Sequence, residues 1–174
     1  EAFDKQIGLL ARHFDVISPE DFESAAKRRG RHVMITFDDG YLDNYEVAFP
    51  ILRRHRVPAT FFVSTGFIDR PALPWWDEIA WLLRGTARTE LDLRPWFEAP
   101  LRLDAKRQPQ IQAVLRRFKA LEFSESRAML AALREASGLT PPKTVARHWM
   151  DWNMIREMSA NGMTIGGHTV NHPV

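Results

Sequence analysis

The chain has 174 residues, of which 45% are hydrophobic, so it can bury one sizeable core. Its 24 basic and 22 acidic residues nearly balance, which argues against a nucleic-acid-binding protein, where basic residues cluster on one face. Cysteine is absent. This excludes disulfides and thiolate metal sites, so any bound metal must be held by histidine and carboxylate side chains.

Membrane and export signals are not visible in the sequence. No apolar run is long enough to span a bilayer, and we expect no transmembrane segment. Residues 1–4 lack the charged and apolar regions of a signal peptide. The sequence leaves the compartment open between the cell envelope or periplasm and the cytoplasm, and it leaves the oligomeric state open as well.

The first segments alternate between helix and strand patterns. Residues 5–14 have a helical pattern, and the apolar pair Val16 and Ile17 follows. Ser18 and the proline after it predict a second helix, which should end at Gly30.

Two strands joined by a helix come next. Residues 32–37 have apolar side chains at both odd and even positions, which predicts a strand buried on both faces. Residues 43–55 are amphipathic, with a kink predicted at Pro50, and residues 58–63 predict a second buried strand. Strand, crossover helix and strand form the βαβ unit of a parallel sheet or barrel, so the sequence predicts an α/β fold.

The middle of the chain, residues 70–148, has a different pattern. A helix, a short hairpin and two more helices are predicted there in this order, over residues 75–84, 91–103, 111–118 and 129–137. No linker-like composition flanks the segment. We therefore interpret it as a helical insertion lying over the sheet, within a single domain of residues 1–174.

The last part returns to the earlier pattern. A helix is predicted from Asp151 to about Asn161, and Gly162 ends it. Residues 163–165 predict a third short strand, which leads directly to His168.

Two adjacent carboxylates, Asp38 and Asp39, follow the first predicted strand. Burying such a pair is costly unless it is paired or bound to a cation. Neighbouring residues on an extended chain point in different directions, so one Asp can bind a metal while the other faces a substrate. A simple turn is the alternative explanation, because Asp-Asp-Gly is common in turns.

Two histidines, His168 and His172, follow the third predicted strand. On one helical turn this spacing puts both imidazoles on the same side, within reach of one ion. Two histidines on a surface helix by chance are the alternative. Active sites of parallel sheets lie at the carboxyl ends of their strands, and this favours a joint site of carboxylates and imidazoles with open coordination positions.

These residues lie in sequence motifs that resemble those of a known family. TFDDGYLDNY resembles the first motif of the polysaccharide deacetylases (the NodB-type homology domain, carbohydrate esterase family four), and HTVNHP resembles the second. The flanking sequences also resemble those of the family; they are AFPILRRHRVPATFFVSTGFI and WNMIREMSANGMTIGG. The resemblance covers roughly residues 31–69 and 149–174.

The resemblance implies a distorted (β/α) barrel, of which this chain would be the N-terminal part with an insertion. It further implies one divalent ion, zinc in most relatives with cobalt, manganese or nickel as alternatives, and an N-acetylated glycan as substrate. Asp38 matches the family's general base, and Asp39, His168 and His172 match its metal ligands. Tyr41 is close enough to the first motif to line the substrate site.

The family's general-acid histidine and an Arg-x-Pro-aromatic motif come after the second motif. None of the remaining histidines has a context that suggests an acid. We therefore expect the protein to continue beyond Val174 and expect this fragment alone to be inactive.

Alternative functions remain open from the sequence. One is a metal hydrolase of a small amide or a formylated sugar on the same fold, and another is a non-catalytic glycan-binding relative. Trp75, Trp76 and Trp81 could stack on sugar rings, although attachment of the insertion to the barrel is the favoured interpretation. Thr169 and Asn171 are expected to orient the neighbouring histidines through hydrogen bonds.

Overall fold

The computed structural model describes residues 1–69, 71–143, 145 and 148–173. Arg70, where the predicted insertion begins, and Val174 lie outside the described residues. The chain divides into two compact units. The first comprises Glu1–Pro71 and Ala146–His172, and the second comprises Ala72–Val145.

Short strands and helices alternate along the chain. Up to Pro71 the elements are α1 (Ala2–His13), β1 (Asp15–Val16), a 3₁₀ turn (Pro19–Asp21), α2 (Phe22–Ala26), β2 (His32–Val33), β3 (Thr36–Phe37), a π-helical segment (Asn44–Ala48), α3 (Phe49–His55), β4 (Thr60–Val63) and α4 (Thr65–Asp69). The second unit contains α5 (Trp75–Gly85), β5 (Glu90–Leu91), β6 (Leu101–Arg102), α6 (Gln108–Lys119) and α7 (Phe123–Ser137). The chain then adds α8 (Trp152–Ala160) and β7 (Thr164–Gly167). Among the described residues, no helix is both long and apolar enough for a membrane span.

The sheet that positions the site is parallel, with strand order β3-β4-β7. Thr60 of β4 pairs with Thr36 of β3 on one side and with Thr164 of β7 on the other. Parallel strands end at the same edge of a sheet, so the residues that follow β3, β4 and β7 lie close together. The predicted α/β class with a parallel sheet is confirmed.

The core of the first unit is built around β4, where Phe61 is 0% exposed. Phe37 of β3 stacks on it, with ring centroids 4.6 Å apart. Burying a side chain of this size stabilises the fold by about 1.5–3 kcal/mol. The prediction of a buried strand within residues 58–63 is confirmed, and its residues share the core with helix residues such as Ile7, Phe49, Leu52, Ile155 and Met158.

The prediction of one strand buried on both faces over residues 32–37 is wrong. Two short strands occupy this segment; β2 pairs with β1 and β3 pairs with β4. Ile35 and Phe37 pack against the core, whereas Met34 is 42% exposed. Only one face of this edge segment is covered in the described part of the chain, so exposure alternates with the period of a strand.

The prediction that the second helix ends at Gly30 is also wrong, because α2 ends at Ala26. After α2 the chain returns to the side of β1. There the Arg31 carbonyl accepts a hydrogen bond from the Asp15 N–H at 2.9 Å. This pairing of β1 and β2 leaves no room for a further helical turn. Pro50 lies in the first turn of α3, directly after the π-helical segment, and the kink predicted at Pro50 stays a prediction.

The second unit has its own hydrophobic core, formed by α5, α6, α7 and the β5–β6 pair. The predicted helices and hairpin of this segment are confirmed. Glu78 is only 5% exposed, and Arg134 donates to both of its carboxylate oxygens, at 2.5 and 2.9 Å. This pairing raises the pKa of Arg134. The assignment of both units to one deacetylase domain, with the insertion over the sheet, stays a prediction.

Candidate metal site

The first motif turns sharply at the end of β3. Asp39 and Gly40 both have left-handed backbones, with φ of 73° and 92°. A non-glycine residue in this region costs about 1–2 kcal/mol, least for Asn and Asp. Two hydrogen bonds hold the turn: Asp39 O accepts from Ser64 N at 3.1 Å, and Gly40 O accepts from Met150 N at 3.0 Å.

The second motif is not helical, and the prediction of one helical turn is wrong. Thr169 and His172 have positive φ values of 63° and 45°, which an α-helix does not accommodate. The carbonyls of Thr169 and Val170 accept hydrogen bonds from Thr65 N and Gly66 N at the start of α4, at 3.3 and 2.8 Å. These tertiary bonds use the carbonyls that a helical turn would need.

Hydrogen bonds hold the backbone of the loop after β7 at His168 and at His172. His168 N donates to Val63 O, and Ser64 Oγ donates to His168 O, both at 2.9 Å. His172 N donates to Thr169 Oγ1 at 2.9 Å. Thr169 thus accepts from the backbone of His172, while the expected orientation of the imidazoles by Thr169 and Asn171 stays a prediction.

The three side chains predicted as ligands converge. One ligand atom from each of Asp39, His168 and His172 lies within 4.8 Å of the others. Asp39 Oδ1 is 3.5 Å from Nε2 of each histidine. Their side chains are 19%, 31% and 32% exposed, so the cluster is accessible from solvent. The backbone of residues 168–172 is not the predicted helical turn, yet the three predicted side chains converge.

This cluster fits a divalent cation. Ligands about 2.0–2.1 Å from a tetrahedral zinc ion lie about 3.4 Å from one another. The 3.5 Å separations between Asp39 and the imidazoles match this spacing. Three protein ligands also leave coordination positions for water and substrate, as in catalytic zinc sites.

Asp38 precedes the cluster and is exposed. Its backbone carbonyl accepts from Gly40 N at 2.9 Å and from the side-chain amide of Asn44 at 3.5 Å. Asn44 is buried, and its side chain folds back towards the motif instead of capping the next helix. The backbone of Asp38 is thus fixed beside Asp39, and its role as a base stays a prediction.

Tyr41 belongs to an aromatic stack beside the motif. Its ring stacks on Trp149 at 4.6 Å, and Trp149 stacks on Phe67 at 4.4 Å. Tyr41 and Trp149 also form an antiparallel β-bridge. The stack ties residues 148–150 to the first motif, so Tyr41 has a packing role, while its contact with substrate stays a prediction.

Two further side chains considered from the sequence, His32 and Trp75, have structural partners. His32 Nδ1 lies 3.0 Å from Asp15 Oδ2. Trp75 stacks on Phe118 within the second unit, at 4.6 Å.

Sequence reasoning missed two residues that build the site, Ser64 and Gly66. Ser64 directly follows β4, the central strand, and Gly66 lies at the start of α4; both hold the histidine loop through its backbone. Small residues after a buried strand were the available signal, because the rule that sites form at strand ends applies to β4 as well.

Comparisons with known proteins identify the family of this chain. A family model described as "Polysaccharide deacetylase" matches residues 25–174. A segment of 31 residues, 18% of the chain, is 55% identical to YxkH of Bacillus subtilis (strain 168), whose name places it among the polysaccharide deacetylases; the match covers 11% of that protein.

Solved structures are similar in fold. The Streptococcus pyogenes deacetylase PplD in complex with acetate has a TM-score of 0.50 at 20% identity, over 98% of this chain and 45% of its own. The BpsB deacetylase domain from Bordetella bronchiseptica has a TM-score of 0.46 at 18% identity, over 95% of this chain and 42% of its own. The chain thus spans less than half the length of these structures. Because the family model covers most of the sequence, the chain belongs to the polysaccharide deacetylase family.

Proposed function

We propose that this protein is a metal-dependent hydrolase that removes N-acetyl groups from the amino sugars of a polysaccharide. The observation that carries the proposal is the convergence of Asp39, His168 and His172 to within 4.8 Å. Membership in the deacetylase family supports the reaction class. The PplD structure is described as holding acetate, which is the acid that N-deacetylation releases. The chain covers 45% of that structure, so the activity is proposed for the whole protein.

Asp39 and the two histidines are the residues that would hold the ion, with zinc as the first choice and cobalt, manganese or nickel as alternatives. Such an ion supplies a Lewis acid that polarises an amide carbonyl and makes water more acidic.

The chain's own residues then divide the remaining tasks. Asp38 takes the proton of the attacking water, because it is an exposed carboxylate joined directly to a ligand. The hydrogen bonds to its carbonyl from Gly40 and Asn44 keep its backbone in place.

The proposal is tested by acetate release from N-acetylglucosamine oligomers by Asp38→Asn. This variant keeps the shape of the side chain and removes the base, so activity should fall by about 10²–10⁴-fold. The metal content should stay at the wild-type value, because Asp38 is not among the converging ligands.

Asp43→Asn is the matched control. Asp43 is an exposed carboxylate five positions further on whose side chain caps no helix. It should keep full activity. Unchanged acetate release by Asp38→Asn in the whole protein, or a whole wild-type protein that releases no acetate with zinc bound, would contradict the proposal.

A further inference from the structure

Ser64 connects the two halves of the candidate metal site. It directly follows β4 and is 0% exposed. Its N–H donates to Asp39 O at 3.1 Å, and its hydroxyl donates to His168 O at 2.9 Å. One buried residue thus bonds to the main chain of two converging side chains that are far apart in sequence.

The hydroxyl fills a gap in the hydrogen bonding of the sheet. In a parallel ladder, a residue that donates to one strand position accepts from the position two residues further on. His168 N donates to Val63 O, so His168 O would accept from Thr65 N. The chain turns into α4 at that point, and Thr65 N bonds to Thr169 O instead. The Ser64 hydroxyl supplies the missing donor.

This bond fixes the carbonyl side of His168 where the regular strand has already ended. The next residue, Thr169, has a left-handed backbone that favours no regular structure. Without the hydroxyl, His168 would keep its N–H bond to Val63 O but lose the bond on its other side. The imidazole would then have to be ordered when the ion binds.

We propose that Ser64 is a positioning residue of the metal site, whose hydroxyl holds the His168 imidazole in register with the Asp39 carboxylate. The inference rests on the proposed metal site and adds a residue that is itself no ligand. Partners of this kind orient ligands and raise metal affinity by limiting the freedom lost on binding.

The test measures zinc affinity by competition with a chromophoric chelator. Ser64→Ala keeps the backbone bond to Asp39 and removes only the bond to His168. We expect zinc to bind about tenfold more weakly, the lower end of the effect of outer partners of metal ligands. Ser64→Thr restores a hydroxyl and should bind zinc within about twofold of the wild type.

Ser126→Ala is the matched control. Ser126 is 2% exposed and donates to the Phe123 carbonyl at 2.9 Å, so it is a buried serine with the same kind of bond in the second unit. Its removal should lower the melting temperature without changing zinc affinity. Melting of each metal-free variant separates a general loss of stability from a change at the site.

Three results would contradict the role of Ser64 or the metal site on which it rests. Equal zinc affinity of Ser64→Ala and the wild type would overturn the role of Ser64 and leave the metal site intact. Equal weakening by alanine and threonine would assign the effect to packing and would also overturn it. A wild-type protein that binds no zinc would instead remove the metal site on which the inference rests.

Discussion

At the level of single residues, the site depends on backbone conformations that side chains normally avoid. Asp39, Thr169 and His172 all have positive φ, and two of them carry candidate ligand side chains. Such residues cost of order 1–3 kcal/mol and persist only where their surroundings fix them. Here the hydrogen bonds from Ser64, Thr65 and Gly66 supply this restraint.

Gly66 is the residue at which a small change should displace the histidine loop. An added Cβ would meet Val170 O at 2.6 Å and would also contact Asn171 Oδ1. Val170 O is backbone, held by the Gly66 N–H, so it can move only with the loop. Gly66→Ala should therefore weaken zinc binding by about tenfold or more, measured by chelator competition.

Gly167→Ala provides the control for this prediction. Gly167 is adjacent to His168, yet an added Cβ there meets nothing within 4 Å. Zinc affinity should stay near the wild-type value. If both alanine variants bound zinc equally well, the close approach of Gly66 to the loop would not matter for the site.

The sequence predicts the converging side chains better than it predicts their supports. Asp39, His168 and His172 were predictable because both motifs follow a predicted buried strand, and the ends of parallel strands meet at one edge of a sheet. Ser64 and Gly66 act through the backbone of a distant segment, and residue type alone does not indicate such a role. Their importance depends on the parallel register between β4 and β7.

At the level of elements, α8 leads the chain into β7 and towards His168. Asp151 caps this helix, and its carboxylate accepts from Asn153 N and Met154 N at 2.8 and 2.9 Å. Asp151→Ala should lower the free energy of unfolding by about 1 kcal/mol, because two N–H groups lose their acceptor. Urea denaturation of the metal-free protein measures this change.

Asp151→Asn should lose less, because asparagine is an equally good N-cap although its charge is gone. An alanine variant as stable as the wild type would contradict the capping role.

Elements with a strong apolar period were predictable, and those set by neighbouring strands were not. The helices α5, α6 and α7 have apolar residues at helical spacing that form the core of their unit. The end of α2 was predicted wrongly because it depends on the pairing of Arg31 with Asp15, which lies outside the helix. The turn after β7 was predicted as helical because residue spacing does not show that α4 binds its carbonyls.

At the level of the whole molecule, two units with separate cores account for the described residues. The converging side chains all belong to the first unit, at the strand ends of one parallel sheet. The order of strand and helix patterns predicted this arrangement. The sequence set residues 70–148 apart as a helical insertion, close to the bounds of the second unit, and its membership in one domain with the rest of the chain stays a prediction.

The most direct test of the metal site is the zinc content of the purified protein, made without a histidine tag and dialysed against metal-free buffer. We predict one zinc ion per wild-type chain, lost from Asp39→Ala, His168→Ala and His172→Ala because each removes one of three converging ligands. His13→Ala, which removes an exposed imidazole at the end of α1, should keep the ion. Full zinc content in the three ligand variants, or none in the wild type, would contradict a metal site at these residues.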